Sequence, residues 1–239
     1  FSMPVFSSSL YGFVIGSASQ FFVSRYLGVE NFAMFANGYR ELPIAGIVIG
    51  AVAGILLPEF SRMTKGGSDS KQYLVLWKNV VLKSAAVIYP FSLYCCIFAP
   101  EIMGVLYGTV YREAADLFRI VTIINLVRIV PYGPIMFALG KGKIFAKAHL
   151  VTALLLLGLD FLCVTFFPSL SAIAIIATTT TVFCLVVLMV STARLLNTGL
   201  SRLMPWKSMF KILSVSTFSC FLGSCAVNLI GVTRDFPAL

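Results

Sequence analysis

Apolar residues in this chain run in long blocks rather than alternating with polar ones. Seven blocks stand out, at about residues 3–24, 32–58, 79–99, 115–139, 145–167, 170–192 and 209–231. A helix needs about 20 apolar residues to cross the hydrocarbon core of a bilayer. A membrane β-strand would instead alternate over about ten residues. The blocks are continuous and about twice that length, so the pattern predicts an all-α integral membrane protein of about seven transmembrane helices.

Composition points the same way. Of 239 residues, 59% are hydrophobic and 11% charged, against about 45–50% and about 25% in soluble domains. Too little charge remains to cover a water-exposed surface. Disorder is excluded for the opposite reason, since it requires low hydrophobicity and high charge. Cys95, Cys96, Cys163, Cys184, Cys220 and Cys225 all lie within apolar runs. They read as small hydrophobes, not as a disulfide framework.

The net charge of +9 is explained by topology. Twelve of the eighteen basic residues fall in or beside the loops after the second, fourth and sixth spans. The first group is Arg62, Lys65, Lys71, Lys78 and Lys83, the second Lys141, Lys143 and Lys147, the third Arg194, Arg202, Lys207 and Lys211. Across the spans, Arg25, Arg112, Arg119 and Arg234 mix with Glu30, Glu101, Glu113, Asp116 and Asp235. The positive-inside rule makes the three basic loops cytoplasmic. Basic residues spread over separate loops do not describe a nucleic-acid surface.

Small residues and prolines mark the spans. Gly46, Gly50 and Gly54 share one face of the second span, and Ser8, Gly12, Gly16 and Gln20 share one face of the first. Such stripes let helices approach closely in lipid, so tight packing of both faces is expected. Pro43, Pro90, Pro131 and Pro134 each remove a backbone donor and predict kinks.

Charges inside a membrane are costly and usually face a cavity or a partner. Arg128 lies in the fourth span. On a continuous helix Thr122, Asn125, Arg128 and Tyr132 would fall within an arc of about 120°. That arc predicts either a polar cavity or a buried structural pair. Asp160 interrupts the apolar run LLLLGLDFLCVTFF of the fifth span. Ion coupling and structural pairing are both open for it, with Arg128 or a cation as candidate partner. Arg40 and Glu41, just before Pro43, read as cavity residues or as a local interfacial pair. Thr178 to Thr181 can bond back to their own helix. His149 is the single histidine, expected in a loop beside Lys147, and there is no phosphate-binding Gly-rich loop. No catalytic constellation, metal site or cofactor site is expected, and the chain reads as no enzyme.

Three segments, in order, carry a resemblance. They are FANGYRELPIAGIVIGAVAGILLPEFSRM, EIMGVLYGTVYREAADLFRIV and ALGKGKIFAKAHLVTALLLLGLDFLCVTFFPSLSAIAIIATTTT. Together they resemble the oligosaccharide (Wzx-type) flippases of the multidrug/oligosaccharidyl-lipid/polysaccharide exporter superfamily. The resemblance covers residues 1 to about 195. It implies the second lobe of a two-lobed transporter of about twelve to fourteen helices, with residues 1–195 as a six-helix C-terminal lobe. Residues 196–239 would be a cytoplasmic linker and one additional span. The start at Phe1 fits a missing preceding lobe, and the end GVTRDFPAL reads as a cut.

The resemblance further implies movement of undecaprenyl-pyrophosphate-linked glycan repeat units from the inner to the outer leaflet of a bacterial inner membrane. The process would be alternating access, in polysaccharide or O-antigen biosynthesis, with H⁺ or Na⁺ as a possible coupling cation. Arg128, Arg40, Asn125 and Tyr132 would bind pyrophosphate and glycan, while Asp160 and Glu41 would couple ions or pair charges. The chain departs from the pattern at Gln20 and Asp160, where relatives often carry an acid and an amide respectively. Alternatives are a lipid II flippase, toward which RELPIAG leans, a multidrug/cation antiporter, a membrane glycan polymerase and a seven-helix receptor. The short outer loops argue against the polymerase. The predicted cytoplasmic start of the first span argues against the receptor.

Overall fold

The computed structural model of the chain describes residues 2–40 and 43–229. Glu41, Arg234 and Asp235 lie outside the described residues. The described residues are helical throughout, with no strand. Five helices are long and apolar enough to cross a membrane: α3 (Pro43–Lys65), α4 (Ser70–Ile97), α8 (Gly142–Phe166), α9 (Leu170–Leu195) and the first 20 residues of α11 (Trp206–Leu229). Of the other two predicted spans, one is α1 (Ser2–Tyr26), 25 residues long but interspersed with seven serines and a glutamine. The other is broken into α6 (Ala115–Ile123) and α7 (Gly133–Ala138). The remaining elements are short: α2 (Val29–Gly38), α5 (Ala99–Tyr107), a 3₁₀ segment (Thr109–Ala114) and α10 (Leu200–Leu203).

The second predicted span is not one helix. It divides into α2 and α3, and Tyr39 and Arg40 lie past the end of α2. Pro43 begins α3 instead of kinking it, because the first helical turn has no use for the missing N–H. Pro58 and Pro90 lie inside α3 and α4, and both helices continue through them.

The helices that lead into the basic loops end alike. At the end of α3, Gly67 has φ +67°, Ser68 N donates to Met63 O and Gly67 N to Thr64 O. Lys141 and Gly140 bond Met136 O and Phe137 O in the same way at the end of α7, with Gly140 at φ +69°. Asn197, at φ +48°, takes the glycine's place after α9, with Thr198 N on Ala193 O and Asn197 N on Arg194 O. This paired arrangement satisfies carbonyls that a helix end otherwise leaves open.

Packing sets the order of the bundle. α1 runs parallel to α8 in its most extensive interface. A Cβ on Gly142 would lie 3.2 Å from Pro4, and farther along Ser19 bonds Asp160. α8 also packs on α9, α3 on α7, and α11 on α4, where Cys220 Sγ approaches Pro90 O at 3.7 Å. The three basic loops therefore share one end. At the other end Gly38 of α2 lies so close to Ala114 that a Cβ there would meet the alanine Cβ at 2.8 Å. Arg119 is held there by Asp116 at 2.8 Å and by Cys96 O at 3.1 Å.

The core centres on α4, whose Trp77, Val81, Ala85 and Ile88 are wholly buried with Phe60, Phe118 and Leu56 around them. All six cysteines are free thiols. Among the described residues, the glycines of the two predicted stripes make no close contact, although Ser8 is buried. A Cβ at Gly12, Gly16, Gly46, Gly50 or Gly54 would meet nothing within 4 Å. α1 instead packs through Ala18, Ser19, Phe22 and Val23. The close glycine contacts lie at Gly38, Gly104 and Gly142.

Candidate functional site

The sequence INLVRIVPYGP explains the broken span. Val130 precedes Pro131 and Gly133 precedes Pro134; a residue before proline is pushed out of the α region, and each proline lacks a donor. α6 therefore ends at Ile123, a 3₁₀ turn covers Ile124–Leu126, and α7 restarts at Gly133. Irregular backbone at membrane depth must find partners in protein or water. Here the Tyr89 hydroxyl of α4 donates to Leu126 O at 3.2 Å. Val127 N and Arg128 N both bond Ile124 O, at 3.0 and 2.8 Å.

The break overturns the predicted four-residue arc, because helical turns end at Arg128, before Tyr132. Arg128 lies in the irregular stretch, half-buried, with Nη2 3.5 Å from Asn125 Oδ1. That distance is the outer limit of a hydrogen bond. Asn125 is buried. Tyr132 is buried elsewhere, with its ring 5.3 Å from that of Trp77. Thr122 donates to its own helix at Phe118 O, 2.7 Å away. Asn125 and Arg128 of the arc are thus brought together by a hydrogen bond. Arg40 is exposed beyond α2. Its neighbour Tyr39 stacks on Phe35 and shares a 3.0 Å hydrogen bond with Thr178 of α9.

Asp160 is fully buried where α1 crosses α8. Its Oδ2 accepts from Ser19 Oγ at 2.7 Å, and its Oδ1 has no hydrogen-bond partner among the described residues. The hydroxyl of Ser19, not the guanidinium of Arg128, supplies its hydrogen bond. The ion pairs Arg62–Glu59 and Arg119–Asp116 are both local.

Ser19 and Tyr39 were not singled out by sequence reasoning, and Thr178, expected to bond back to its own helix, meets Tyr39 instead. Ser19 is one of many serines in α1 and lies off the glycine stripe. Thr178 sits in a run of four threonines. Thr180 and Thr181 do bond back to Ile176 O and Ala177 O, both at 2.8 Å, as expected. His149 is in α8, not in a loop, with Nδ1 3.0 Å from Phe145 O and its ring against Phe145. Among the described residues no three His, Cys, Asp or Glu side chains converge.

Residues 1–116 match the family described as polysaccharide biosynthesis protein. The match covers just under half of the chain and supports a membrane protein similar to that family, involved in polysaccharide synthesis or export. The matched segment contains α1, Ser19 and Arg40, whereas Arg128 and Asp160 lie beyond it. No curated protein and no solved structure matches the chain.

Proposed function

We propose that this protein belongs to polysaccharide biosynthesis as a flippase that moves undecaprenyl-pyrophosphate-linked glycan repeat units across a bacterial inner membrane by alternating access. The observation that carries the reading is Arg128, a half-buried guanidinium in the irregular backbone of a broken membrane helix. Arginine is expensive at that depth, and its planar fork matches phosphate oxygens. Asn125 adds a polar side chain beside it. A lipid-linked pyrophosphate needs a polar path for its head while its tail remains in the bilayer. In this reading Arg128 takes the pyrophosphate and Asn125 a sugar or phosphate oxygen. Arg40 acts at the outer boundary. Tyr132 supports the break through Trp77 instead of touching substrate. The basic loops face the cytoplasm, as the positive-inside rule requires.

Asp160 is the candidate for coupling to H⁺ or Na⁺. Its buried carboxyl retains an oxygen with no hydrogen-bond partner among the described residues, so a proton or cation has an acceptor there. No step of the reading is enzymatic, and it needs no cofactor.

The test is the sidedness of the lipid-linked repeat unit in cells lacking the gene. An impermeant sugar-oxidising reagent should fail to reach repeat units that accumulate on the cytoplasmic face. Export should return with the wild-type gene and not with Arg128→Ala. Reagent-accessible but unpolymerised units would refute the flippase and indicate a step after translocation. Arrested cell-wall synthesis with normal surface polysaccharide would move the substrate to lipid II.

A further inference from the structure

The end of α2 meets the crossing of α1, α8 and α9 through Tyr39. Its ring packs on Ala18, Leu156 and Ala177, one residue from each of the three helices, and stacks on the buried Phe35 at 5.0 Å. Its hydroxyl shares a 3.0 Å hydrogen bond with Thr178 Oγ1 of α9. The same crossing holds the buried carboxyl, because Ala18 precedes Ser19 and Leu156 lies one turn before Asp160. Thr178 departs from its neighbours. Thr180 and Thr181 turn their hydroxyls back to carbonyls of α9, the ordinary arrangement for threonine inside a helix. Thr178 commits its hydroxyl to a different element.

The helix that follows is held elsewhere. The extensive interfaces of α3 are with α4 and α7. A Cβ on its Gly46, Gly50 or Gly54 would meet nothing within 4 Å. Tyr39 stands shortly before Pro43, the first residue of α3, and the exposed Arg40 follows it directly. Tyr39 therefore ties the chain that leads into α3 to the crossing of α1, α8 and α9. One hydrogen bond between neutral hydroxyls shifts an equilibrium by about two- to tenfold. That is enough to favour one arrangement and little enough to be given up in another.

We propose that Tyr39 and Thr178 form a reversible latch, which positions Arg40 and the start of α3 against the crossing of α1, α8 and α9 and opens when α3 moves away. The part this movement plays in transport rests on the flippase reading, whereas the latch itself does not. Tyr39 and Thr178 are positioning residues, and neither needs to touch the substrate.

Hydrogen–deuterium exchange of the full protein in detergent, read by mass spectrometry across the first half of α3, tests this. Exchange through a local opening follows the equilibrium of that opening. Tyr39→Phe keeps the ring and its stacking, and Thr178→Val keeps the volume. Each should speed exchange there by about two- to tenfold, and the double variant should be no faster than either single one. Thr178→Ser keeps the hydroxyl and should exchange like wild type. A packing role alone predicts the reverse order, with Thr178→Val neutral and Thr178→Ser disruptive, and that order overturns the latch. Wild-type exchange in both Tyr39→Phe and Thr178→Val overturns it as well. So does faster exchange throughout α8 and α9, which reports general loosening. In cells, glycan export should fall with Thr178→Val and not with Thr178→Ser. If the expected exchange pattern appears but the wild-type protein moves no lipid-linked glycan, the latch stands and the flippase reading alone is refuted.

Discussion

The hydrogen bond between Ser19 and Asp160 allows a sharp test of what a buried carboxyl does here. Ser19→Ala removes the hydroxyl that donates to Oδ2 and leaves Oδ1 as it was. Both oxygens of a fully buried group are then unpartnered. The cost of stranding a buried polar group is about 1–3 kcal/mol. At about 2–4 °C per kcal/mol for a chain of this size, the heat-unfolding midpoint in detergent should fall by about 2–12 °C. Fluorescence-detected gel filtration after graded heating reads that midpoint. Ser19→Ala/Asp160→Leu removes both polar partners together, and apolar replacement of a buried polar pair is about neutral or stabilising. Its midpoint should therefore return to the wild-type value or exceed it, while glycan export is lost. A Ser19→Ala midpoint equal to wild type would refute the hydrogen-bond argument. A double variant less stable than Ser19→Ala would make Asp160 a structural anchor. A stable double variant with normal export would remove Asp160 from transport.

Other expectations follow from the break and the close contacts. Arg128→Lys keeps the charge but loses the fork, so export should fall by about tenfold or more, the value of one charge-assisted hydrogen bond, with insertion unchanged on a membrane-fraction blot. Tyr89→Phe strands Leu126 O and should destabilise by about 1–3 kcal/mol, read as a lower unfolding midpoint. Gly38→Ala forces a Cβ to within 2.8 Å of Ala114 Cβ and 3.2 Å of Ala114 O; neither atom can swing aside, and a loss of about 1–3 kcal/mol is expected. Gly50→Ala meets open space inside α3 and should leave stability unchanged or raise it by up to about 1 kcal/mol, since Ala is the better helix residue.

Much of this protein was legible in order along the chain. Runs of about 20 apolar residues have one solution in lipid, because every backbone donor must be satisfied within the segment. This is why α8 and α9 fall close to the blocks at 145–167 and 170–192. The basic loops were equally visible, and the residues that end their helices, Gly67, Gly140 and Asn197, are of the types that tolerate positive φ. The prolines at 131 and 134 were visible too, but not their consequence. Whether a proline kinks a helix or stops it depends on what satisfies the carbonyls left open around it, and at this break Leu126 O is taken by Tyr89, 37 residues away.

Partner choice belonged to the tertiary structure alone. Asp160 could be recognised from its apolar neighbours, but Ser19, 141 residues away, could not be picked from the other serines of α1. Helical spacing drew the eye to the stripes at Gly12–Gly16 and Gly46–Gly54, yet those faces are open. The close approaches are at Gly38, Gly104 and Gly142, none of them in those stripes. A run of small residues states that a helix can be approached. Only the arrangement of the other helices decides whether anything approaches it. Sequence by itself determined that this chain is helical, membrane-embedded and basic in three loops, since those properties follow from local composition acting against lipid and water. The tertiary structure decided which polar groups meet inside, because that depends on pairings between residues far apart along the chain.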